Sequence, residues 1–360
     1  MHSSLPADRT HPSMSLPKMV GRWPSRWVPV VAVLLVVLLA CAPEQFPQTT
    51  LRPRSDFAHL LDASLRTTLR FAILVFVLVE GALLFAIWKF RARPGAAAPV
   101  QTHGNTTLEI VWTMIPAVIL AMIAVPTVRT IFQTATKPGA DALQVEVIGH
   151  QWWWEFRYPD LGIVTANELH VPTGRTVNLE MTTADVVHSF WLPQFAGKRD
   201  VFPNRHNNLW FKAEAEGDYP GQCAEFCGMQ HGRMAYRIVA QPPEAFDAWA
   251  ANFNAPGPDY ADTTKTPDPT LRRGQQLFTE KGCIGCHSLN PPAIPGLIGP
   301  NLHHVGSRTY IAAGTLKNTD ENLAKWLHNP QAWKLGVLMP NLQLKDDEVA
   351  ALVAFLRSNQ

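Results

Sequence analysis

The sequence predicts a multi-domain membrane protein: a two-helix transmembrane hairpin, then a small all-β sandwich or barrel, then a helical module. Three observations carry this reading. Two long apolar runs before residue 132 are each able to cross a bilayer of about 30 Å. Near residue 142 the pattern switches to β-rich runs broken by Pro, Gly and Asp. From residue 270 it turns helical again. The 360 residues exceed one average domain, and 30 prolines argue for turns and linkers rather than a helical bundle. A net charge of +2, from 31 basic and 29 acidic residues, gives no reason to expect nucleic-acid binding. The five cysteines fall as two close pairs and a single, which is no disulfide framework for a chain this size.

Residues 1–27 carry scattered Arg and Lys, and the apolar run "VPVVAVLLVVLLAC" follows, ending at Cys41. A basic stretch, an apolar core and a small-residue exit form a secretory signal. Leu38-Leu39-Ala40-Cys41 reads as a lipobox, so residues 1–41 hold a signal peptide cleaved before an acylated Cys41. The alternative is an uncleaved membrane helix with an incidental cysteine. The long lead allows Met14 or Met19 to be the true start.

The hairpin is placed at 55–135, with spans near 69–90 and 108–132. Lys89, Arg91 and Arg93 lie between the spans and set that short loop in the cytoplasm. Both flanks then face the other side, in agreement with the signal. Glu80 sits inside the first span, where a carboxylate is a functional candidate. The plainer reading is that it faces a neighbouring subunit or is protonated. Glu109 opens the second span, where the helix dipole favours a carboxylate.

A β-domain is placed at 142–253, with "PPEAFDAWAANF" as a closing helix. In "HQWWWEF" three consecutive tryptophans cannot all point inward from a strand, so one is expected to be exposed as a contact surface. Residues 254–269 read as a linker, and 270–360 as the helical module. A flexible linker of 16 residues spans roughly 20–25 Å and holds the last module near the β-domain at an effective concentration of order millimolar.

Two clusters carry chemistry. "CAEFCGMQHGRM" places Cys223, Cys227, His231 and Met234 within a dozen residues. A disulfide is open to two thiols in an oxidising compartment. Zinc prefers four Cys or His ligands, and methionine serves it poorly. Thiolate, imidazole and thioether together are the soft set that copper prefers. A further nitrogen comes from His188 in "TTADVVHSFWLP", which alone would read as a core histidine. "GCIGCHS" places Cys283, Cys286 and His287 in the spacing of covalent c-type haem attachment, with a redox dithiol as the alternative. A sixth iron ligand is then needed, and Met339 is the only methionine after residue 234. His303, His304 and His328 compete for that role but are expected at the surface.

The spacing C-x-E-x-C-x3-H-x2-M, with "NTTLEIVWTMIP", "GHQWWWEFRYPD" and "DVVHSFWLPQF" in order, resembles subunit II of cytochrome c oxidase over about residues 55–255. The module after it resembles a class I cytochrome c, with Pro300 in "GPNL" and a last helix at 346–358. Together they resemble subunit II of a caa-type haem–copper oxidase. The resemblance implies a cupredoxin-like β-barrel on the hairpin and an all-α class I cytochrome c domain. It implies binuclear copper A bridged by Cys223 and Cys227 and capped by His188 and His231. Met234 and the Glu225 carbonyl would be weak ligands, and the Glu225 side chain would help hold an interfacial magnesium. One covalent haem c is implied on Cys283, Cys286, His287 and Met339. Trp152 is implied as the point of electron input, and Trp153 departs mildly from the usual tyrosine. Glu109 matches the glutamate at the mouth of the K proton pathway.

The implied function is electron input to an oxidase that reduces oxygen to water with proton pumping, with the oxygen-reducing centre in another chain. Implied partners are subunits I and III, an external cytochrome c or similar donor, and the bilayer. The implied location is the bacterial inner membrane, with both cofactor domains on the periplasmic or outer face. A copper A nitric oxide reductase is the alternative. A copper carrier would have no use for the haem motif, and quinol oxidase subunits lack the copper ligands present here.

Overall fold

The first apolar run is the middle of a longer helix. The computed structural model describes residues 32–33, 47–95, 100–101, 103–255, 263–289 and 298–360. The signal and the proposed acylation site at Cys41 lie outside the described residues. Helix α1 spans Asp56–Lys89 and α2 spans Thr106–Ala135. The Ser55 side chain caps α1 by accepting from Ala58 N, and Asn105 caps α2 by accepting from Leu108 N. Both helices extend beyond the apolar cores read from the sequence. The start of α1 belongs to the β-domain: Phe57 is buried, with its ring edge-on to Trp210 at 5.3 Å. The apolar middle of each helix faces outward, as lipid contact requires.

Ten strands follow as two sheets. One has the order β3-β2-β1-β5-β8, from Ile163–Ala166, Trp153–Tyr158, Leu143–His150, Thr176–Thr183 and Asn207–Lys212. The other has the order β4-β10-β9-β6-β7, from Glu168–Pro172, Ala235–Gln241, Gly217–Cys223, His188–Trp191 and Lys198–Val201. Alternation fills the space between them. Val145, Val147, Trp154, Phe156 and Tyr158 from the first sheet meet Leu169, Val171, Phe190, Tyr236 and Ile238 from the second. The Phe190 and Tyr236 rings stack at 4.3 Å. Gly221 makes room for this, since a Cβ there would lie 2.1 Å from Tyr236 Cζ. Helix α3 (Pro243–Phe253) closes the barrel with Phe246, Ala250 and Phe253.

The last module has its own core. Helix α4 (Pro269–Glu280) is capped by Asp268, which accepts from Thr270 N and Leu271 N. It crosses α7 (Asp346–Ser358), and Leu277 and Phe278 pack with Leu352, Phe355 and Leu356. Gly274 sits at the crossing, where a Cβ would lie 2.2 Å from Ala351 O. Helices α5 (Asp320–His328) and α6 (Pro330–Trp333) complete it. A short ribbon, β11 (Tyr310–Ile311) with β12 (Leu316–Lys317), is one feature that helical periodicity did not predict.

Candidate metal centre and haem pocket

Sheet register builds the first site. Phe190 on β6 pairs with Cys223 at the end of β9, so His188, two residues back on the same face, lies beside the thiol. The chain then loops through 224–234 and returns as β10, closed by Cys223 N donating to Met234 O at 3.0 Å. A turn at His231–Arg233, opened by Gly228 at φ 116°, aims His231 back inward.

The donors converge. Cys223 Sγ and Cys227 Sγ are 3.8 Å apart and unbridged. His188 Nδ1 lies 3.8 Å from Cys223 Sγ, and His231 Nδ1 lies 3.6 Å from Cys227 Sγ. Met234 Sδ is 3.8 Å from Cys227 Sγ, and the Glu225 carbonyl is 3.3 Å from Cys223 Sγ. His188, both thiols and Met234 are buried, whereas the Glu225 side chain is exposed. The two thiols ionise unequally. The Cys227 hydrogen bond, helped by His188 and the Ser189 backbone, holds Cys223 well below the thiol range. The Cys223 thiolate, and then burial, pushes Cys227 up. Burial alone would lower His188, but Asp185 and the Cys223 thiolate outweigh it and raise it. Asp185 Oδ1 sits 2.8 Å from His188 Nε2, which leaves Nδ1 turned to the sulfurs. Two thiolates, two imidazoles, a thioether and a carbonyl around one point fit copper rather than zinc.

The second site is a cavity in the helical module. Cys283 and Cys286 lie on its wall with His287, and Met339 faces in from the loop after α6. His287 Nδ1 is 2.8 Å from the Pro300 carbonyl, so the ring donates there and keeps Nε2 free to ligate. Burial lowers His287, which favours the neutral ring that a metal needs. Gly299 leaves the ring its space, because a Cβ there would lie 2.5 Å from His287 Cε1. Leu302, Val305, Leu323, Leu327, Leu352 and Leu356 make the lining apolar. An attachment motif, two ligand types and an apolar slot fit a haem.

The same cavity is bounded by Trp152 and Trp153 of the β-domain. The expected exposed tryptophan is not found. All three tryptophans are buried: Trp152 is 8 % exposed, Trp153 7 % and Trp154 0 %. Alternation holds, with Trp154 in the barrel core, but the outer face of β2 is covered by the helical module, where Trp153 packs on Ala313. Trp152 turns its indole to the first site, and its Nε1 donates to the Cys227 carbonyl at 3.0 Å. Gln151 Nε2 donates to the same oxygen at 2.8 Å.

The modules meet through paired groups. Glu168 Oε1 accepts from Thr309 N at 2.7 Å, Asn301 Nδ2 donates to Val164 O at 2.9 Å, and Ala235 N donates to Ala313 O at 3.1 Å. The Arg237 guanidinium lies 5.1 Å over the Tyr310 ring. The expected surface placement fails for His303 and His304. His303 is 1 % exposed, its ring nitrogens facing the carbonyls of Leu289 and Phe253 at 2.9 and 3.0 Å. His304 is half-buried against Phe253, and His328 is exposed as expected. The junction with α3 buries the two neighbours, and neither of them lines the cavity.

Elsewhere, Glu109 is exposed in the first turn of α2, and Glu80 is half-buried on α1. Asp185, Lys334 and Arg308 were missed from the sequence. Asp185 stood three residues before His188, which is the signal of a carboxylate orienting a ligand. Arg308 lines the haem cavity, and desolvation pulls its guanidinium down to about 10 against the pull of Glu168.

Fold and donor set define a class: a membrane-anchored β-barrel with a soft-metal centre, joined to a cytochrome-like module. Family models agree segment by segment. Those for the transmembrane and periplasmic domains of cytochrome c oxidase subunit II match residues 54–130 and 161–241, and the cytochrome c model matches residues 271–360. Cytochrome c oxidase subunit 2 of Alkalihalophilus pseudofirmus is 35 % identical over 342 residues, covering 93 % of this chain and 96 % of that one. The subunit 2 of Bacillus subtilis is 32 % identical over 363 residues, covering 94 % and 98 %. The crystal structure of the periplasmic domain of subunit II from Bradyrhizobium japonicum is 34 % identical, covers 32 % of this chain and 96 % of that one, and has a TM-score of 0.31. The chain belongs to the cytochrome c oxidase subunit 2 family. It is thus a bacterial membrane protein with a periplasmic domain and a part of an oxidoreductase complex. Its two outer domains imply copper A and haem c.

Proposed function

We propose that the chain is the electron-input subunit of a caa-type oxidase, taking electrons from an external cytochrome c or similar donor and delivering them to the oxygen-reducing, proton-pumping subunit I. The observation that carries this is the placement of Trp152: one side chain borders the haem cavity and donates a hydrogen bond to the carbonyl of Cys227. When bound, copper and haem supply one-electron chemistry that needs no open coordination position.

The residues supply the rest. Cys223 and Cys227 would bridge two coppers, His188 and His231 would cap one each, and Met234 and the Glu225 carbonyl would be weak ligands. Cys283 and Cys286 would bond the porphyrin, and His287 and Met339 would ligate the iron. Arg308 would neutralise a haem carboxylate. Paired strands hold His188 and Cys223, and the short loop between β9 and β10 holds the other donors, so little moves when charge changes. The exposed Glu225 carboxylate is free to share a magnesium with subunit I. Glu109, near the cytoplasmic start of α2, would feed the K proton pathway there. Subunit III completes the complex, and Cys41 carries lipid at the mature N-terminus. The relatives named above are oxidase subunits, and nothing favours the nitric oxide reductase alternative.

The test is a cofactor count on the full chain in detergent. Two coppers, one covalent haem, and copper EPR hyperfine structure from one electron shared by both metals are expected. One localised copper, or a persistent Cys223–Cys227 disulfide, would sink the reading. In a flash experiment Trp152→Ala should slow haem-to-copper transfer, and an unchanged rate would remove Trp152 from the route. Intact mass should show residues 1–40 absent.

A further inference from the structure

Lys334 is 2 % exposed. It follows α6, five residues before Met339, and nothing in its local sequence explains a buried amine. Burial of a lone ammonium is costly, and proteins tolerate it only where the charge is used or well paired. Here Nζ donates to the Trp152 carbonyl at 3.0 Å and to the Ala312 carbonyl at 3.4 Å. One side chain thus ties the β-domain turn that carries Trp152 to the haem module. Among the described residues no carboxylate pairs with it. Desolvation pulls Lys334 down to about 7, with Arg233 adding to that and Cys227 opposing it. An apolar side chain would fill the same space without this cost.

The loop that follows is braced on both sides. Inside the haem module, Gln331 Nε2 donates to the carbonyls of Val337 and Met339 at 2.8 Å each, and its Oε1 accepts from Gly336 N at 2.8 Å. Across the junction, Gln230 Nε2 donates to the Leu335 carbonyl at 2.6 Å. Gly336 lies against Met229, so close that a Cβ would sit 2.9 Å from its Sδ. Met229 and Gln230 belong to the loop between Cys227 and His231. The segment holding Met339 is therefore seated directly on the segment holding the copper donors.

We propose that Lys334 is a positioning residue for electron input: its hydrogen bond to the Trp152 carbonyl holds the Met339 loop in register with the Trp152 turn and, through the Trp152 indole, with Cys227. The linkage runs from the Met339 loop through Lys334 to Trp152, and from Trp152 Nε1 to the Cys227 carbonyl. It rests on the electron-input reading above and adds a residue that lines the haem cavity without being one of the ligands named there.

The experiment uses the full chain in detergent with both cofactors loaded, comparing wild type, K334M and K334L. K334M keeps the volume and removes the donor, and K334L, which also lacks a donor, is the second variant should K334M not fold. Three quantities are read: the haem-to-copper transfer rate after flash reduction of the haem, amide hydrogen exchange over residues 310–313 and 335–339, and the copper EPR spectrum with thermal melting. A positioning role predicts transfer slowed by roughly tenfold or more and faster exchange in both segments, with copper spectrum and melting unchanged. The exchange difference is expected before copper is loaded as well. Wild-type transfer and exchange in K334M or K334L would overturn the proposal while leaving the electron-input reading intact. Absence of transfer in wild type would overturn that reading, and the proposal with it.

Discussion

Asp185 shows how much of the copper site lies outside its ligands. Its Oδ1 holds His188 Nε2 at 2.8 Å, and its Oδ2 accepts from Gln151 N at 2.6 Å, so it fixes one imidazole and the turn before Trp152 together. Asp185→Asn should keep the fold and weaken copper binding by roughly 10–100-fold, as loss of a ligand's orienting partner commonly does. Competition against a copper chelator measures this, and unchanged affinity would make Asp185 a bystander. The donors Cys223, Cys227, His231 and Met234 were legible because one tight loop holds them, so spacing alone brought them together. Asp185 was legible in principle from its spacing to His188. Lys334 was not, because its partner Trp152 lies in another module and no local pattern marks a lysine for burial.

At the scale of elements, glycines mark where the packing is tightest. Gly274 lets α4 and α7 cross with Ala351 O in the space a side chain would need. Gly274→Ala should cost about 1–3 kcal/mol, as overpacking does, and lower the melting temperature of the haem module by roughly 4–8 °C per kcal/mol. Melting followed at the haem absorption band, with the barrel's transition unmoved, is the expected result. The strands and helices themselves were readable from period and breakers. Short elements were harder: β11 and β12 have two residues each, too few for alternation to register. The tryptophan run fails differently. Its alternation is right, yet exposure was the wrong inference, since the outer face of β2 is buried by the other module.

At the scale of the molecule, the linker matters less than direct contact. Chain statistics hold the haem module merely nearby, whereas Glu168, Asn301 and Ala235 bond across the junction. Burial alone would raise Glu168, but His170, Arg308 and the Thr309 amide outweigh it and hold the carboxyl below its ordinary value of 4.5. The sign follows. Ionised Glu168 stabilises the folded chain fully above that ordinary value, and the contribution, part of it from Arg308 and the Thr309 amide across the junction, is lost as pH falls through the lower folded value. Protection of the Thr309 and Tyr310 amides, taken relative to their intrinsic exchange rates, should therefore fall on acidification below about 4.5. Glu168→Gln should weaken docking by about 1.5–3 kcal/mol at neutral pH, the worth of a hydrogen bond to a charged group, and flatten that acid response.

The way the barrel meets its anchor has a mechanical result. Ser55 caps α1 and donates to the Phe195 carbonyl, and Asp56 accepts from Lys212 N at 2.9 Å. No slack chain separates the end of the mast from what it carries. These bonds tie the barrel's height and heading above the lipid to the tilt of α1. A polarised probe on the barrel in oriented bilayers should report a single fixed tilt.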